Sequence, residues 1–151
     1  MGDNRETFPL SAYIVAGTQA ARTHVNSVIV MKMTNLHRTS KEKDSDMESD
    51  LSDTDSDAED DEERKPKMSC ALIKHQGCVN RIRCSRFNNT TFAASWSELG
   101  RVNIYNLNDQ LQAVEDKNTL KTYENNHGAE LSKAVYSFNG HQKEGFALDW
   151  C

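Results

Sequence analysis

At 151 residues, with 36% hydrophobic residues and a mean hydropathy of −0.77, the chain is long enough for one ordinary domain but too polar for a single core throughout. Its formal net charge of −5 conceals two opposite parts: from Glu42 to Glu63 thirteen Asp or Glu face one base, Lys43, a net of −12, so the remaining residues carry +7. No stretch approaches the roughly 20 apolar residues needed to span a bilayer, and MGDNRETF lacks the basic start and apolar run of a signal peptide, so the expectation is a soluble intracellular protein without membrane contact.

In chain order, Pro9 to Ala16 (PLSAYIVA) alternates as a strand, with Leu10, Ala12 and Ile14 on one side and Gly17 as its stop. Ser27 to Leu36, built on VIVMKM, is a second strand and makes a hairpin with the first. From His37 the periodicity collapses and like charges accumulate, which predicts disorder to about Lys67. Strand character resumes after Pro66 with Met68 to Ile73, so the acidic run is an insertion between strands, and its ends are expected to lie close together.

Three strands follow: the one in HQGCVNRIRCSRF, TFAASWS from Thr91 after a turn at Asn88-Asn89, and Arg101 to Leu107 after Gly100. Val102 and Ile104 point to one face, Asn103 and Tyr105 to the other. From Asn108 to about Asp116 the period lengthens to that of a short helix, with Asn108 or Asp109 as N-cap, and Lys133 to Phe138 returns to strand.

A unit recurs. With His141 at offset zero, Leu148 and Trp150 fall at offsets seven and nine; from His75 the same offsets give Ile82 and Cys84, with Val79 at four. A Gly140-His141 turn, polar residues and then an apolar strand describe one propeller blade handing over to the next. His75 and His141 are 66 residues apart, against about 40 to 45 for WD-type blades, and the helical insert accounts for the excess. The expected fold is all-β, a partial WD40-type β-propeller with about one complete blade, parts of two neighbours and a disordered acidic loop. Residues 1–37 form a partial first blade, 38–67 the acidic loop, 68–139 the end of that blade and one full blade with a helical insert near 108–132, and 140–151 the truncated start of the next. Such a fragment is expected to leave both faces of its complete blade exposed and to fold poorly alone.

The four cysteines lack any CxxC pair and are expected to be reduced packing residues, and the sequons at Asn88 and Asn89 have no role in an intracellular chain. His75 with Cys78 and Cys84 offers neither four metal ligands at tight spacing nor an oriented catalytic group, so no metal, cofactor or enzymatic activity is expected. His141 is expected to be a structural turn histidine. The acidic run carries the functional signal: Asp55, Asp57, Glu59, Asp60, Asp61, Glu62 and Glu63 supply multivalent counter-charge for a basic partner, the plainer alternative being a solubilising linker. Ser45, Ser52, Thr54 and Ser56 each have an acidic residue three places on, the pattern of acidophilic phosphorylation. Arg81, Arg83, Arg86 and Arg101 suit either contact with RNA phosphates, which the resemblance described next would make those of pre-ribosomal RNA, or a solvated strand face.

Several stretches resemble the glutamate-rich WD-repeat proteins, relatives of the histone-binding WD proteins of chromatin assembly complexes. They are GDNR at Gly2–Arg5, PLSAYIVAGTQA at Pro9–Ala20, NLH at Asn35–His37, DDEERKPK closing the acidic run, VNRIR at Val79–Arg83, WSELGRVNIY at Trp96–Tyr105 and GHQKEGFALDW at Gly140–Trp150. The resemblance implies a non-enzymatic nuclear and nucleolar scaffold that chaperones a basic ribosomal protein during large-subunit assembly and also binds core histones. A histone-binding chromatin factor and a WD substrate adaptor of a ubiquitin ligase are the alternatives. It also implies that this chain is an N-terminal fragment of a longer propeller. Tyr105-Asn106 replaces the usual Trp-Asp, and Leu99 the usual turn Asp, so the hydrogen-bond tetrad anchored by His75 is expected to be incomplete.

Overall fold

The computed structural model describes residues 7–37 and 65–151. Among these, β1 (Leu10–Gly17), β2 (Ser27–Leu36) and β3 (Lys67–Lys74) form one sheet in that order. A second sheet has the order β4 (Val79–Phe87), β5 (Thr90–Ser97), β6 (Val102–Asn106) and β7 (Tyr136–Phe138). Between β6 and β7 come α1 (Asn108–Ala113), α2 (Lys117–Asn125) and α3 (Gly128–Leu131).

The chain divides into two compact units, one of residues 1–12 and 33–68, the other of residues 13–32 and 69–151. In the first unit the described residues are the start of β1, the end of β2 and the start of β3. In the second, period-two burial explains the strands: Val28 and Val30 on β2 and Ala71 and Ile73 on β3 are almost fully buried while their neighbours are not. With Ala93 on β5, Tyr105 on β6, and Leu107, Ala113 and Val114 at the helical insert, they make one core. Each large aliphatic side chain so buried stabilises by about 1.5–3 kcal/mol against its exposed state.

The second sheet is antiparallel throughout. Ile82 pairs with Ser95 and Cys84 with Ala93, Ala93 pairs with Tyr105 and Ser95 with Asn103, and Asn103 pairs with Ser137. The split expected for Val102/Ile104 against Asn103/Tyr105 follows, and the Tyr105 face is the core face. One face of the complete sheet is therefore covered, by the Val28–Ile73 layer, where exposure of both was expected.

Three further expectations are corrected. The helix predicted over Asn108 to Asp116 is two: α1 ends at Ala113, and Asp116 caps α2 by accepting from the backbone N–H groups of Asn118 and Thr119 at 2.7 and 3.0 Å. Neither Asn108 nor Asp109 is the N-cap of α1; that position is Leu107. The Asn108 carboxamide instead accepts from Thr91 N, and its own N–H donates to Asn106 Oδ1. Finally, residues 140–151 form no strand. Among the described residues no strand pairs with them, and their side chains turn back on the sheet: Asn80 donates to Glu144, and Trp150 Nε1 to the carbonyl of Arg83. The cysteines are free, but Cys84 and Cys151 are exposed rather than packed.

Candidate functional site

Asp55, Asp57, Glu59, Asp60, Asp61, Glu62 and Glu63, and the phosphorylation candidates Ser45, Ser52, Thr54 and Ser56, lie outside the described residues. The residues that flank the acidic run do not. Asn35 takes a left-handed backbone (φ 61°), which asparagine tolerates better than most side chains. Its Nδ2 donates to the carbonyl of Lys65 at 2.9 Å, and its Oδ1 lies 3.0 Å from His37 Nε2. The ends of the acidic excursion are thus tied together, as its position between two strands of one sheet requires.

His75 is 2% exposed and anchors the hand-over turn. Its Nδ1 lies 2.9 Å from the carbonyl of Gly77 and its Nε2 3.0 Å from Ser95 Oγ. A carbonyl can only accept, so Nδ1 carries the proton and Nε2 accepts from Ser95. Burial holds His75 below its ordinary pKa and pushes Tyr105 up to about 12. The Gly77 carbonyl takes the place of the turn aspartate, and the buried Tyr105 holds the tryptophan position with its ring centroid 6.4 Å from that of His75. With both ring nitrogens engaged, His75 is a structural residue here.

Val79 is buried and Ile82 half-buried against the core. Their counterparts differ. Gly140 and His141 are exposed and Leu148 and Trp150 half-buried. His141 stacks on Trp96 with ring centroids 4.5 Å apart, and Trp150 meets Phe87 edge-on at 5.7 Å. The arginines do not form one patch. Arg81 and Arg83 share a sheet face, Arg86 lies on the other, and Arg101 sits in the turn between β5 and β6.

Sequence reading missed two polar hubs. Asn26, fully buried, accepts from Ala20 N and Thr18 Oγ1 and donates to the carbonyls of Ala20 and Arg22, closing the loop between β1 and β2. Gln110, 1% exposed, ties the helices together: its Nε2 donates to Tyr123 Oη at 3.0 Å and Ser132 Oγ at 2.7 Å. Tyr123 Oη in turn donates to the carbonyl of Leu72 on β3 and Ser132 Oγ to that of Gly128. Glu115 fastens the α1–α2 corner to the first sheet through Lys32 Nζ, 2.6 Å away, and Tyr13. These hydrogen bonds, led by the one from Lys32, hold the Glu115 carboxyl below its usual range. Only the capping Asp116 gave a sequence signal.

Between the helices lies a groove of about 560 Å³, lined among others by Asp109, Gln112, Asn118, Thr122, Asn126 and Leu131. No group of three or more His, Cys, Asp or Glu among the described residues could hold a metal ion, and no helix among them is long and apolar enough to cross a membrane.

Comparison with known proteins gives relatives along the whole chain. It is 36% identical to Protein HEAT STRESS TOLERANT DWD 1 of Arabidopsis thaliana, covering 99% of this chain and 34% of that protein. It is 36% identical to Glutamate-rich WD repeat-containing protein 1 of Dictyostelium discoideum (99% and 30%) and 28% identical to Ribosome assembly protein rrb1 of Schizosaccharomyces pombe (99% and 29%). The chain spans about a third of the length of these curated relatives. No protein-family model and no solved structure matches it.

Proposed function

Homology to glutamate-rich WD-repeat proteins runs along the whole chain, whose fold is a partial WD40-type propeller, and from that premise we propose that it is a non-enzymatic scaffold and chaperone in ribosome assembly. Its client in this reading is a basic protein of the large subunit, met in the nucleus and nucleolus, with core histones as a second class of basic partner. The observation that carries the proposal is the run of thirteen carboxylates set between Asn35 and Lys65, which are hydrogen-bonded to one another. A net −12 that leaves and rejoins the sheet at one place is a concentrated counter-charge on a β-scaffold. The relationship to a ribosome assembly protein supports the ribosomal client over the chromatin one.

The test is capture of purified large-subunit ribosomal proteins and core histones at physiological salt. Replacing Asp55, Asp57, Glu59, Asp60, Asp61, Glu62 and Glu63 by Asn or Gln is expected to weaken capture at least about tenfold and to flatten its salt dependence. Unchanged capture by the neutralised chain would sink the proposal.

A further inference from the structure

The helical insert is not explained by the scaffold. It interrupts an otherwise regular sheet between β6 and β7, and its helices wall the 560 Å³ groove. Some of the lining is committed elsewhere: Tyr123 and Ser132 to the Gln110 hub, and Thr119 to the cap of α2. Four lining side chains are not. The carboxamides of Gln112, Asn118 and Asn126 and the carboxylate of Asp109, all on exposed residues, make no hydrogen bond or ion pair with another described side chain and are open to a ligand. Beside them Leu131 is 69% exposed and offers an apolar surface at the edge of the groove.

These groups select an occupant. A carboxamide offers one acceptor and two donors, matching the N–H and C=O of an extended peptide backbone. Asp109 is the one charged residue among those lining the groove, which disfavours an anionic ligand and favours a lysine or arginine side chain. Leu131 suits an apolar residue adjacent to it. We propose that the groove of the helical insert docks an extended, Lys- or Arg-bearing segment of the basic client protein, with Asp109 pairing the cation and Gln112, Asn118 and Asn126 holding its backbone. This rests on the reading of a basic client and adds to it: the acidic run attracts, and the groove recognises.

The experiment uses the full chain carrying a photo-crosslinking phenylalanine analogue at Gln112, with core histones and purified large-subunit ribosomal proteins as probes. Its companions are Asp109→Lys, Thr122→Arg to fill the groove, and the chain neutralised in its acidic run. The expected result is a crosslink to a basic segment of the captured protein, and affinity lowered about threefold to tenfold by each groove variant at 150 mM salt, with circular dichroism unchanged. Capture without a crosslink, together with wild-type affinity for both variants, overturns the groove and leaves the acidic-capture reading standing. A crosslink that survives neutralisation of the acidic run upholds the groove and removes the acidic run from recognition. No capture of either probe overturns both.

Discussion

Substitution at Gln110 tests the hub that shapes the insert, because its hydrogen atoms can be assigned. Tyr123 Oη and Ser132 Oγ each spend their hydrogen on a carbonyl, of Leu72 and Gly128, so both must accept from the Gln110 amide, whose orientation is thereby fixed. The amide oxygen is then left buried without a partner. Gln110→Leu loses two hydrogen bonds of about 0.5–1.5 kcal/mol each but also removes a buried orphan acceptor that costs about 1–3 kcal/mol, so the two terms nearly cancel. Gln110→Ala loses the same bonds and leaves a cavity, costing about 2–4 kcal/mol. Gln110→Glu sets a carboxylate against two acceptor oxygens and costs more than about 3 kcal/mol when ionised. Urea unfolding followed by far-UV circular dichroism and tryptophan fluorescence should rank Leu nearest wild type, then Ala, with Glu worsening as pH rises above about 5. A Leu variant as unstable as the Ala variant would refute the reasoning, since it would mean that the amide oxygen has a partner.

Burial lowers the His75 pKa in the folded chain, so as the pH falls through the unfolded value the unfolded chain binds a proton that the folded one refuses. Stability should be flat above pH 7 and fall below about 6.5, by at most about 1.4 kcal/mol per pH unit; a rise towards pH 5.5 in buffered urea titrations would contradict the buried neutral imidazole. Gly100 sits at φ 74°, and a Cβ there would lie 2.6 Å from the carbonyl oxygen of His141. Gly100→Ala should therefore cost at least about 2 kcal/mol and displace His141 from Trp96, read as a change in tryptophan fluorescence; an unchanged spectrum and midpoint would show that residues 140–145 do not pack there.

Elements written in local chemistry were legible in the sequence. The strand over Ser27 to Leu36, the split of Val102 and Ile104 from Asn103 and Tyr105, and the interruption of a sheet by acidic residues each follow from short-range pattern. What escaped depends on residues far apart in the chain. Gln110 reaches Tyr123 and Ser132, and Tyr123 reaches Leu72, 51 positions away, so nothing near Gln110 announces a hub. The strand expected after Gly140 failed for the same reason in reverse: its alternation is sound, but a strand also needs a neighbour, and the sequence of one segment does not contain its partner. At the hand-over turn a role survives a change of residue, since the Gly77 carbonyl accepts the His75 hydrogen that a turn aspartate would have accepted.

Two features of opposite range can divide the work of recognition. A net −12 acts over about a Debye length, near 8 Å at physiological salt, and is indifferent to the order of residues in a basic partner, so it governs how often encounters succeed. The unpaired carboxamides and the Asp109 carboxylate act only at contact and in register, so they govern how long a partner stays. Stopped-flow binding separates the two. Neutralising the acidic residues should lower the association rate constant and its salt slope while sparing dissociation, and Asp109→Lys should speed dissociation with little change in association. If both variants altered only association, the groove would be one more charge beside the acidic run, and the helical insert would serve the fold alone, through Glu115, Tyr123 and Gln110.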